Sequence, residues 1–102
     1  MYEIELRTLW LSINDAAIRI ADLRDRFLIL KGGENRFDQL HHTYTQLRNV
    51  ECALYEWLDA RKNVKSPDEQ DRLVLMIASA SVENGATVAQ LAQAELEMLT
   101  SA

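Results

Sequence analysis

Apolar residues recur through the first third of the chain at Leu6, Leu9, Ile13, Ala16, Ile20, Leu23, Phe27 and Leu30. The steps alternate three and four without a fault, a heptad seam that predicts a long helix over about residues 2–31. Ile4, Leu11 and Ile18 form a second stripe beside the seam, with Trp10 and Ala17 on its flank. So wide an apolar face suits a helix that touches two or more neighbours. On the polar side Glu3–Arg7, Asp15–Arg19 and Asp22–Arg26 each set the acid four residues before the base, the favourable order on a helix. Lys31, Gly32 and Gly33 then stop it. One of the glycines can take the left-handed conformation of a C-terminal cap, and Lys31 complements the negative end of the dipole.

Asn35 is a candidate N-cap for a second helix over about residues 36–62. Its stripe reads Phe37, Leu40, Tyr44 and Leu47, and then offers two registers. One runs through Val50, Leu54, Trp57 and Arg61, the other through Glu51, Leu54 and Leu58. The apolar face therefore broadens or shifts near Val50. In Ser66-Pro67-Asp68-Glu69, Ser66 can cap, Pro67 suits the first helical position and Glu69 completes a capping box. A third helix over about residues 67–100 follows. Leu73, Ile77 and Ala80 define its expected inner face, continued in nearly the same phase by Val88, Leu91 and Met98. Gly85 either bends one long helix or divides it in two. Short connections between long helices imply antiparallel neighbours. The expectation is an all-α, elongated antiparallel three-helix bundle, one domain over residues 1–102, with a fourth helix if Gly85 breaks the third.

Composition supports that picture. Apolar residues make up 48% of the 102, and Gly and Pro together only four, which excludes a disordered chain or a turn-rich sandwich. The net charge is −5, and residues 65–102 carry six acids against two bases, so −4 of it lies in the last third. No basic stripe stands out, which disfavours direct binding to nucleic acid or to an anionic membrane. Cys52 is the one cysteine and cannot form an intramolecular disulfide, and no signal peptide or bilayer-length apolar run is visible. A cytoplasmic setting is the expectation.

The sequence offers little chemistry. Asp38 and His41 share a helix face at the spacing used in di-metal carboxylate bundles, but such sites need a second motif. His41 and His42 point about 100° apart on a helix and do not converge. Cys52 has no histidine near it in sequence to serve as a base. Gly32-Gly33 follows a helix rather than a strand and lacks the pattern of a phosphate loop. No catalytic residue, metal ligand or cofactor is expected.

Tyr55 and Trp57 lie about 200° apart on a helix, so one of them leaves the core. Together with Ile4, Trp10, Leu11 and Ile18 they are the candidate interface residues, since exposed aromatics favour interfaces. Glu51 falls on the seam in one register, where Arg48 or Arg61 could pair with it. Three readings follow. The leading one is a non-enzymatic protein-protein interaction module that self-associates as a homodimer, burying Ile4, Leu11 and Ile18. A second is a small acidic inhibitor or regulator, of phage or mobile-element type, that blocks a nucleic-acid enzyme through Glu83, Glu95 and Glu97. A third is a ligand- or metal-binding bundle with His41, Tyr44, Arg48 and Glu51 turned inward.

Overall fold

The computed structural model describes residues 2–61 and 68–101, and their side chains from residue 5 onward. Three helices follow one another: α1 over Tyr2–Leu28, α2 over Glu34–Ala60 and α3 over Glu69–Thr100. No strand occurs among the described residues. The molecule is an all-α three-helix bundle, about three times as long as it is wide. Elongation leaves 6845 Å² accessible, more than the roughly 6,000 Å² expected of a rounded chain of this mass.

α1 is the central element. It packs most extensively on α2 and next on α3, while α2 and α3 touch each other least. Leu6, Ile13, Ala17, Ile20, Leu23 and Phe27 are buried along it, and Leu9, Ala16 and Leu30 pack at the margin. The helix ends at Leu28, three residues before the expected stop. The Leu30 N–H donates to Phe27 O and the Gly33 N–H to Leu30 O, at 3.2 and 3.1 Å. Gly32 supplies the positive φ of 85° that this turn requires. Gly33 is needed for space instead, because a Cβ there would lie 2.8 Å from Phe27 O. Gly33 is also the N-cap of α2, without a side-chain cap, so the expected role of Asn35 is corrected: it lies inside the first turn.

In α2 both registers beyond Leu47 are used. Leu40, Leu47, Leu54 and Leu58 are buried, and Val50 and Trp57 are half-buried beside them. Val50 and Trp57 line the groove towards α3, whereas Glu51 lines the groove towards Trp10 of α1. The face widens because α2 meets one neighbour on each side.

α3 differs most from expectation. It is one unbroken helix through Gly85. Its N-cap is Asp68, with a capping box closed by Asp71 rather than by Glu69, while Ser66 and Pro67 lie outside the described residues. The inner face is Asp71, Ala78, Gly85, Val88, Ala89, Ala92 and Leu96. Leu73, Ile77 and Ala80, the expected inner face, are exposed, as are Leu91 and Met98. The cause is the phase set at the first turn. Asp71 is held inward, and residues seven apart from it (Ala78, Gly85, Ala92) follow onto the same face. Small side chains there let α3 approach closely, while Leu73, Met76, Ile77, Leu91 and Met98 stay outside.

At Gly85 α3 comes close to both other helices. A Cβ on it would meet Leu47 Cδ1 at 3.3 Å and Ala16 Cβ at 3.7 Å. The tighter neighbour is the end of a flexible side chain and can yield by tenths of an ångström. Gly85→Ala is therefore expected to raise stability by up to ~1 kcal/mol through helix propensity. Gly85→Leu is expected to lower it by about 1–3 kcal/mol through overpacking. Thermal melts of the two variants beside the parent check both signs.

Candidate interaction surfaces

Two polar clusters tie the bundle together. At the junction of α2 and α3 the Asp71 carboxylate is fully buried. Its Oδ1 accepts from Trp57 Nε1 at 2.7 Å, and its Oδ2 accepts from Arg61 Nη2 at 2.7 Å and from the Asp68 N–H at 2.9 Å. The Asp71 N–H donates back to Asp68 Oδ1 at 2.9 Å. Arg61 also reaches Asp68 Oδ2 at 3.1 Å and lies 6.0 Å from the Trp57 ring centre. Arg61 therefore serves this clamp, not Glu51, which corrects one of its two expected pairings. Of the two aromatics that cannot share a face, Trp57 turns to the core and Tyr55 to solvent. Trp57 is thus a packing and clamp residue, not an outward anchor.

The second cluster joins α1 to α2. Arg48 Nη1 donates to Asn14 Oδ1 at 2.8 Å and to both Glu51 oxygens at 2.9 and 3.0 Å, while its Nε donates to the Tyr44 hydroxyl at 3.1 Å. The hydrogen bond to Tyr44 is the main cause holding the Arg48 pKa above its ordinary value; partial burial opposes it, and Glu51 adds to it. Two guanidinium groups approach the Tyr44 ring, Arg24 at 4.8 Å and Arg48 at 5.2 Å from its centre. Arg24 also contacts His41 Nδ1 at 3.4 Å, and His41 stacks on Phe37. The Arg48–Glu51 pairing is as expected, although both residues belong to one helix and Asn14 makes the crossing to α1. These groups bond chiefly to one another.

Other candidates disperse. Among the described residues no three of His, Cys, Asp and Glu converge on a point that could hold a metal ion. Asp38, His41, His42 and Cys52 are all exposed. Of the three acids singled out, Glu95 is half-buried and ion-paired with Arg36 of α2. Glu97 accepts from Gln93 at 3.3 Å, and Glu83 is exposed. No described helix is long and apolar enough to cross a membrane.

The apolar surface is the more distinctive feature. On α1, Leu11 and Ile18 are 53% and 54% exposed, as their separate stripe requires; the Ile4 side chain lies outside the described residues. Trp10 packs at the margin with its ring centre 6.3 Å from that of Tyr55. Its Nε1 is buried without a hydrogen-bond partner among the described residues.

α3 carries a longer stripe, which takes in five of the six residues expected on its inner face; the sixth, Val88, is buried as expected. Leu73, Ile77, Ala80, Asn84, Thr87, Leu91, Ala94 and Met98 run along it at steps of four and three, and all are exposed. This is a heptad seam facing outward. It borders the open groove between α2 and α3, where Val50 and Ala53 meet Ile77, Ala80 and Asn84. The signal available in the sequence was the ladder of small residues at Ala78, Gly85 and Ala92. It marks the buried side and pushes the large residues to the other.

No protein-family model matches this chain, and no curated protein or solved structure matches it either.

Proposed function

We propose that this chain is a non-enzymatic helical interaction module that self-associates and acts by recognition alone. The outward heptad seam of α3 carries the reading. A helix that is apolar on two sides is ordinarily covered on both. The inner side of α3 already completes the core of the single chain, so the outer side is surplus to folding. An exposed apolar stripe, here interrupted only by Asn84 and Thr87, is the kind of surface that marks interaction sites in soluble proteins. A second copy is the simplest cover, since every copy carries the same surplus. The polar groups support the reading by engaging one another, which leaves them to hold the bundle rigid. A cytoplasmic setting belongs to the same proposal, with Cys52 exposed as a free thiol.

The test is native mass by light scattering after size exclusion, across a dilution series from about 100 μM downwards. The expected result is twice the 11.7 kDa chain mass at the upper concentrations, falling towards one chain on dilution. A mass of one chain at every concentration would overturn the proposal.

A further inference from the structure

We infer that the self-interface is an antiparallel pairing of α3 with α3 of a second copy, about a twofold axis passing between Gly85 and Ala86. This deepens the self-association reading and rests on it. The seam is self-complementary in one register. Antiparallel about that axis, Ile77 faces Ala94 of the second copy and Ala80 faces Leu91, so each large residue meets a small one. Leu73 faces Met98 at both ends. Asn84 faces Thr87, so the polar residues near the middle of the seam meet each other. Thr87 Oγ1 donates to Glu83 O within its own helix, which leaves its lone pairs to accept from the Asn84 amide of the second copy.

Other registers fail on the same residues. Parallel pairing would set Ile77 on Ile77 and Ala80 on Ala80, crowding one layer and emptying the next. An antiparallel shift by one heptad would set Asn84 against Ala80 or Ala94 and leave its amide without a partner. A polar residue in an apolar seam is a well-attested device for fixing register.

Charge and area agree. At the flanks Glu83 comes beside Gln90 of the second copy and Glu97 beside Met76, so no two carboxylates meet across the axis. That matters for a chain carrying −5. Leu73, Met76, Ile77, Leu91 and Met98 are between 51% and 74% exposed. Fully covered, these five would bury roughly 500 Å² per copy and about 1,000 Å² over the twofold, the lower bound for a specific interface. The groove between α2 and α3, the pair that packs least, adds Val50 and Ala53 beside the seam.

Two single-cysteine variants test the register, both in a Cys52→Ser background: Ala80→Cys and Leu91→Cys. Each is mixed alone, and the two are mixed together, under mild oxidation, with native mass measured on the same samples. In the inferred register positions 80 and 91 of different copies are in disulfide reach, whereas like positions are about 16 Å apart along the axis. A crosslink in the mixed sample and little in either single sample is expected. Crosslinking of Ala80→Cys with itself would mean parallel helices and overturn the inference. Two-chain mass with no crosslink in any sample would also overturn it, while leaving self-association standing. One-chain mass throughout, in the parent as well, would overturn both.

Discussion

Asp71→Ala is expected to cost the fold about 3–5 kcal/mol, the scale seen when one partner of a buried charged network is removed. The carboxylate is fully buried and serves donors from three places: the Trp57 indole, the Arg61 guanidinium and the Asp68 backbone. Alanine would withdraw the acceptor from all three at once and would undo the capping box that starts α3. Total stabilities of single domains run to about 5–15 kcal/mol, so the loss would take a large share. Asp71→Asn keeps the shape and one oxygen, and is expected to lose roughly half as much. Because the site is buried, raised salt should change either loss little. Urea denaturation of the three proteins gives the comparison. A loss below about 1 kcal/mol for Asp71→Ala would show that the network does not hold the α2–α3 junction.

Leu47→Ala is expected to cost about 3–4 kcal/mol, in the upper part of the usual range for such truncations. Leu47 is 1% exposed and lies against Gly85, which has no side chain to move into the space left behind. The cavity would therefore persist rather than collapse. Adding Gly85→Ala to Leu47→Ala should return more than Gly85→Ala gains alone, because the new methyl enters that cavity. A coupling of roughly 0.5–1 kcal/mol is expected between the two sites. A thermodynamic cycle over the four proteins measures it. Strict additivity would mean that Gly85 and Leu47 do not share the cavity.

The parts of the fold legible in the sequence were those where size and polarity point the same way. On α1 the large apolar residues are the inner ones, so Leu6, Ile13, Ile20 and Phe27 could be placed from spacing alone. Leu11 and Ile18 are large and apolar yet more than half exposed, and only their position on a separate stripe beside the seam sets them apart. On α3 size and burial part company. Ala78, Gly85 and Ala92 are inside because close approach needs small residues, while Ile77 and Leu91 are outside. A reading that follows large apolar residues therefore selects the wrong face. Asp71 escaped notice because an acid in a first helical turn is commonly explained by the dipole. Its burial depends on Trp57 and Arg61, which arrive from another helix and have no fixed spacing to it. The Arg48–Glu51 pair was legible because both lie on one helix, three apart. The pairing of Arg36 with Glu95, 59 residues away, was not.

Sedimentation of three proteins side by side tests the central claim most directly: the parent, Ile77→Glu combined with Leu91→Glu, and Leu11→Glu combined with Ile18→Glu. All four substituted positions are more than half exposed, so each variant should keep the parent's helical content. The expected result is a two-chain parent and a two-chain α1 variant, with the α3 variant dissociating at ~100-fold higher concentration or worse. A folded α3 variant that associates as tightly as the parent would contradict the claim that the outer seam of α3 holds two copies together.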